Sequence, residues 1–389
     1  MSEIKVNSIK GVGASAAAIT VNNTDGTATA NLTNRQGKNL VVNGAMNVAQ
    51  RGTSSTTQNA YTTVDRWKIL SGGLDEGVTT AQSDITSGLA YNDGFRKAYK
   101  VQNGNQTSGA GSSDYLVPIY KFESQDLANS GWDYVSSSSF ITISFYVKSS
   151  VAQTFQVQLY NGEPSPARQY VFEYSATTSW TRITHTVPGG SGLQIDNDNG
   201  GDLDLYFNLF HGTDATDNSY VNNQWNDYGG GNPQYKDNTS TWYTTNDATW
   251  EITGLQVEVG SVATDFEHLS YPDDLRRCQR YYYKLLPTQG AYFGAGTWYN
   301  STTFILHVDF PVFMRTNVTS VETTGTAAHY RIITNATTVT CTSAPSALGD
   351  PNTTSLAVNF PASSAGTQGQ GGLGRSGNAS AFLAFSAEL

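Results

Sequence analysis

From Phe140 to Lys148 the chain alternates at a two-residue period. Ile141, Ile143, Phe145 and Val147 fall on one side, and Thr142, Ser144, Tyr146 and Lys148 on the other. A helix cannot separate that pattern into two faces, so the segment is predicted as a half-buried antiparallel strand. The same period returns in Phe155, Val157 and Leu159, in Leu203, Leu205, Phe207 and Leu209, and in Phe304, Leu306, Val308 and Phe310. Aromatic residues make up 12% of the chain, and the Thr, Ser, Asn and Gly between them suit pleated strands broken by turns. Strands without helices between them imply a mainly β fold of the sandwich or jelly-roll kind.

One helix is expected, over 271–284. Pro272 suits a first-turn position, Asp273 and Asp274 sit near the positive end, and Leu275, Cys278, Gln279 and Tyr282 recur at helical spacing. It separates a β domain at 39–270 from a second one at 285–389. Residues 1–38 are small and polar, without aromatics, and cannot close a core of their own, so they read as an attachment segment lying along a partner. The glycine-rich stretch 365–377 reads as a flexible distal loop.

The composition excludes several classes. With 389 residues the chain is long enough for two or three cored domains, so it needs no staples. Its two cysteines, Cys278 and Cys341, make no disulfide framework and no zinc cluster. Acidic side chains outnumber basic ones 32 to 22, a net charge of −10, which argues against a nucleic-acid binder. No apolar run is long enough to span a bilayer and no signal peptide opens the sequence, so the protein is expected to be made in a cytoplasm without inserting into a membrane.

Three stretches resemble a known family. Asn39-Leu40-Val41-Val42-Asn43-Gly44-Ala45-Met46, continuing through Gln50-Arg51-Gly52-Thr53 to Thr63-Val64-Asp65-Arg66-Trp67, is similar to the opening of a jelly-roll domain in bacteriophage tail fibres. Trp250 to Gly260, with Ala263-Thr264-Asp265-Phe266-Glu267, is similar to that domain's closing strand. Arg276-Arg277-Cys278-Gln279-Arg280-Tyr281-Tyr282-Tyr283 is similar to the short helix that follows it. The Ile4-Lys5-Val6-Asn7 opening resembles fibres of short-tailed marine phages. The resemblance covers about 39–284 and departs at His268-Leu269, where a basic residue is more usual. It implies jelly-roll domains in a homotrimeric fibre of the virion tail, joined to other tail proteins through the N-terminus and adhering to a bacterial surface glycan or protein. Alternatives are a capsid fibre or decoration, a fibre adaptor, or a polysaccharide-degrading spike.

Within that frame Asp65, Arg66 and Trp67 are expected to form a structural clamp, an acid–base pair held against a ring. The region 211–249 lacks alternation but carries Tyr220, Trp225, Tyr228, Tyr235, Trp242 and Tyr243. Those rings suit stacking on sugars, with Asn and Asp for the hydroxyls; equally, they could pin the loop to the sandwich. Asp196-Asn197-Asp198-Asn199-Gly200 resembles the start of a calcium loop, but Phe207 stands where an EF-hand needs glutamate, and a solvated turn is the plainer reading. Apart from calcium no cofactor is expected. The GxGxxG match at 369–374 lacks a βαβ unit, and no HExxH or GxSxG occurs, so the chain is expected not to be an enzyme.

Overall fold

The computed structural model describes residues 6–10, 12, 19–21, 28–30, 37–229, 233–285, 288–335, 337–349, 352–363 and 366–389. The chain is mainly β. Eight strands build the first domain: β1 (Lys97–Gln102), β2 (Tyr115–Lys121), β3 (Phe140–Ser149), β4 (Gln153–Asn161), β5 (Arg168–Ala176), β6 (Thr181–Pro188), β7 (Leu203–Asn208) and β8 (Thr249–Val259). One sheet has the order β6-β3-β8-β1 and the other β2-β7-β4-β5, all pairs antiparallel. Successive strands alternate between the sheets except at β4 and β5, which are joined as a hairpin. That winding is a jelly roll. Thr79–Asp84 and Ser54–Ser55 extend the first sheet beyond β1, and Trp67–Gly72 and Trp225–Asp227 extend the second.

The alternating residues meet between the sheets. Ile141, Ile143, Phe145 and Val147 face Phe155, Val157, Leu159, Leu205 and Phe207, all buried, with Trp67 and Trp250 filling the middle. The other side of β3 departs from expectation. Thr142, Ser144 and Tyr146 are also buried: Phe95, Trp180 and Phe266 pack about Tyr146, and the Thr142 hydroxyl donates to the Gly260 carbonyl at 2.7 Å. β3 is therefore covered on both sides.

The expected helix forms as α1 (Tyr271–Gln279), capped by Ser270, whose side-chain oxygen accepts from Asp273 N. It is shorter than expected, since Tyr282–Leu285 of the tyrosine run is a strand, β9. Three further helical turns, at Leu89–Asn92, Ser124–Ala128 and Thr241–Thr244, ornament the jelly roll.

The second domain has one seven-stranded antiparallel sheet. Its strands are β10 (Tyr292–Trp298), β11 (Thr303–Asp309), β12 (Tyr330–Thr334), β13 (Thr337–Thr340), β14 (Ser346–Leu348), β15 (Ser355–Pro361) and β16 (Gly371–Ser376), in the order β13-β12-β16-β10-β11-β15-β14. A separate ribbon pairs β9 with β17 (Leu383–Ser386) and covers one face, packing Leu383 and Phe385 near Phe304, Leu306 and Phe360. Residues 371–376 of the glycine-rich stretch are thus no flexible loop but β16, near the middle of the sheet, where a Cβ on Gly374 would lie 2.6 Å from Leu306. Its glycines make room for large neighbours.

Ser8–Ile9, Ile19–Val21 and Ala28–Ala30 form a small antiparallel sheet. Val6, Ile9 and Val12 are exposed there.

Candidate functional site

Strands β7 and β4 send their apolar residues inward and leave Tyr206, Gln158 and Tyr160 on the outer face of the second sheet, where β2 adds Tyr115, Val117 and Ile119. Tyr206 stacks on Tyr160 with centroids 5.7 Å apart and planes at 14°, and Tyr228 meets Tyr160 edge-on at 4.8 Å. The Tyr206 hydroxyl donates to Asp204 Oδ2 at 3.2 Å, an oxygen also held by Lys121 Nζ at 2.8 Å. The loop after β7 folds back across this face. Between loop and sheet runs an open groove of about 460 Å³, lined by Tyr115, Gln158, Tyr206, His211, Tyr228 and Tyr235, with Asp114 and Asp214 also on its wall.

The charge on the groove walls is confined to the carboxylates of Asp114 and Asp214. His211 lies between Tyr235 (4.4 Å) and Tyr115 (5.9 Å), and burial lowers its pKa to about 3. Its imidazole is therefore neutral at pH 7, with Nδ1 donating to Asn208 Oδ1 at 2.6 Å. Burial also raises the Tyr206 and Tyr228 phenols above their ordinary value. The walls thus offer ring faces, a phenol, amide groups and a neutral imidazole, a set suited to uncharged hydroxyl-rich ligands.

The six rings expected to contact glycan are placed unequally. Trp242 and Tyr243 are fully buried: Trp242 donates Nε1–H to the Thr249 carbonyl at 3.1 Å, and Tyr243 stacks on Phe210 at 4.1 Å while its hydroxyl reaches Asp114 Oδ2 at 2.9 Å. Tyr220 and Tyr235 are buried in a small cluster with Val171, and the Tyr235 hydroxyl donates to Gln158 Oε1 at 2.6 Å. Half-buried Trp225 leans on Tyr170 and donates Nε1–H to the Pro188 carbonyl at 2.9 Å. These contacts correct the expectation of a six-ring platform, since most of the rings fasten the loop to the sandwich. Only Tyr228 and Tyr235 line the groove. Sequence reading missed Tyr115, Tyr160 and Tyr206, although Tyr160 and Tyr206 occupy the polar phase of strands whose apolar phase it did identify.

The clamp also differs from expectation in its partners. Asp65 does not pair with Arg66; its two oxygens accept from Gln50, from the backbone N at 2.8 Å and from Nε2 at 2.5 Å. Burial raises its pKa to about 6, with Gln50 and Arg51 opposing. Arg66, buried and left-handed at φ 74°, bonds Glu388 Oε2 at 2.5 Å and lies 3.6 Å over the Tyr281 ring. Burial works against its charge, but Glu388 and the phenols around it hold its pKa above the ordinary value. Trp67 does serve as the buried ring, stacked on Tyr99 at 5.1 Å.

The family-like stretches converge around this clamp. A Cβ on Gly44 would sit 2.2 Å from the Leu255 carbonyl, so only glycine lets that turn meet β8 at its bulge. Asn39 Oδ1 accepts from Val257 N at 3.1 Å, and Asn43 N donates to Asp274 Oδ1 in α1 at 3.1 Å. Gln50 Nε2 reaches the Tyr282 carbonyl at 2.6 Å, and Tyr281 donates its hydroxyl to Glu123, which also binds Arg280. These motif residues build the seam between the domains. The calcium-like loop serves the same seam: Asn199 donates Nδ2–H to the Arg315 carbonyl at 2.6 Å. Among the described residues no three His, Cys, Asp or Glu side chains are grouped to hold a metal, and no helix is long and apolar enough to cross a membrane.

No protein-family model matches the chain, and neither does any curated protein. Among solved structures it is similar to a CBM4 module (13% identity over 56% of this chain and 98% of that one, TM-score 0.29). It is also similar to the family 11 carbohydrate-binding module of Lic26A-Cel5E from Clostridium thermocellum (13%, 55% and 98%, TM-score 0.26). A third is the CBM22-1–CBM22-2 tandem domain of Xyn10C from Paenibacillus barcinonensis (10%, 91% and 98%, TM-score 0.28).

Proposed function

We propose that this chain is a non-enzymatic adhesin of the phage tail-fibre type, whose jelly-roll groove binds a saccharide on the bacterial surface. The observation that carries the reading is the groove itself. It combines an open 460 Å³ channel with the rings of Tyr206 and Tyr228 and the neutral imidazole of His211, the two kinds of contact a pyranose needs. Asp114 supports binding over hydrolysis, because its carboxylate is already engaged by the Tyr243 hydroxyl and by Gly111 N.

In this reading the protein is a homotrimer in the virion tail, with no cofactor. Its N-terminal segment attaches to other tail proteins, and three weak sites act together on a cell surface. Two features support association. Residues 6–10, 12 and 19–21 are all exposed or half-buried, and the second domain leaves one sheet face uncovered. The family-like stretches supply the tail-fibre part of the reading.

The test is binding of the purified chain to an array of bacterial surface polysaccharides, alongside Tyr206→Ala and Tyr228→Ala. Retained signal should fall about tenfold or more in each variant with melting unchanged, at 1–3 kcal/mol per stacking ring. Undiminished binding by both variants, or release of reducing ends from a bound polysaccharide, would reject the proposal.

A further inference from the structure

A second cleft, of about 530 Å³, opens between the two domains, away from the groove. Its jelly-roll wall carries Arg51, Tyr61 and Lys68; its other wall carries Lys284, Glu322 and Phe382. Arg51 lies 3.5 Å over the Tyr282 ring and pairs with Glu388 at 3.1 Å, so that cation is neutralised. Glu322 accepts the Tyr282 hydroxyl at 3.0 Å. Among the described residues, neither Lys68 nor Lys284 has a carboxylate within ion-pair distance. Lys68 Nζ stands 5.8 Å from the Tyr61 ring, and Lys284 Nζ stands 4.4 Å from the Phe382 ring.

We infer that this interdomain cleft is a binding site for an anionic saccharide, its acid group held between Lys68 and Lys284 and its ring laid against Tyr61. Both ammonium groups lack a carboxylate partner, and Lys284, which donates to the Arg51 carbonyl at 3.4 Å, is partly stripped of water, a cost that a bound anion reverses. Burial pulls the Lys284 ammonium below its ordinary pKa, reinforced by Arg51 and opposed by Glu322. The chain as a whole carries −10, so this local excess of cations is not a reflection of its composition. The ring and the hydroxyls of Thr57 and Thr62 favour a sugar over a bare ion. The acid group can be a uronic carboxylate or a phosphate ester, which present the same charge to the lysines.

The inference does not depend on the groove, and the experiment keeps the two sites apart. The full chain is titrated calorimetrically with oligogalacturonate, with neutral cello-oligosaccharide and with inorganic phosphate at two salt concentrations. Oligogalacturonate, phosphate or both should bind, more weakly at the higher salt, and whichever binds more tightly identifies the acid group. The Lys68→Gln/Lys284→Gln double variant should lose about tenfold or more of that affinity, as expected for charge-assisted contacts, whereas Tyr228→Ala should leave it unchanged. Lys68→Glu, a charge reversal on a half-exposed side chain, gives the same reading if the double variant does not fold. Failure of both anions to bind, equal binding of the neutral oligosaccharide here, or full affinity in the lysine variants overturns the inference.

Discussion

The two domains bury their strands in different ways. In the jelly roll two sheets face each other, and even Tyr146, on the polar side of β3, is roofed by Phe95, Trp180 and Phe266. The second domain has one large sheet with a ribbon on one side. On its other side Ile333, Leu373 and Ala295 lie in register across β12, β16 and β10, each half-buried or exposed. A two-layer fold satisfies its own apolar surface, whereas a single layer leaves some for a neighbour. The first domain is thus built to present a groove, and the second is suited to association.

The seam between them offers the largest perturbation. Arg66→Ala removes one of the two cations on a carboxylate that is 6% exposed, leaving Arg51 on Oε1, and opens a hole beneath Tyr281, which should cost about 3 kcal/mol. Urea unfolding followed by separate probes in each domain should then show two transitions where the parent shows one. An unchanged, single transition would mean that the domains do not rely on this bond.

A somewhat smaller effect is expected from Asp65. Its folded pKa of about 6 lies above the ordinary 3.8, so the folded state holds the proton more tightly than the unfolded chain. The stability it contributes is complete below about pH 4 and is lost as pH rises through 6, a change of roughly 2–3 kcal/mol. The stability difference between the parent and Asp65→Asn should therefore shift by that amount, in favour of the variant, between pH 4 and pH 7. A difference that stays flat across this range removes Asp65 from the argument.

Within the single sheet, Gly374→Ala places a methyl group 2.6 Å from Leu306 and should lower the stability read from the single transition by about 1–3 kcal/mol. Least costly to the fold is Leu373→Glu on the uncovered face, expected to change chain stability by no more than about 0.5 kcal/mol. In the proposed trimer its effect should appear in sedimentation, as dissociation. A variant that sediments like its parent would show that this face is not the contact.

Three of the eight jelly-roll strands, β3, β4 and β7, and β11 of the second domain were legible because they obey a single period, and their core-facing residues include those the alternation selects. Legibility ended where a residue's role depends on what covers it. Tyr146 reads as a solvent-facing residue until Phe95 and Trp180 are placed over it. Trp242 and Tyr243 read as exposed rings because nothing in 211–249 shows that the segment folds onto Phe155 and Phe210. The clamp was recognised as buried, but its acid was assigned to the adjacent residue, since a partner 322 positions away leaves no local trace. Glycine in 365–377 was read as freedom, although at Gly374 it answers to the bulk of Leu306 and Phe360.

The distance along the chain between Arg66 and Glu388 has a consequence for biosynthesis. A ribosome releases the complete jelly-roll strand set well before it delivers the residue that neutralises this guanidinium. Throughout that interval the nascent first domain holds an unbalanced cation at its base and an open socket around Tyr281. Closure of the seam is therefore a late event, and it ties the maturation of the upstream half to the arrival of the downstream one.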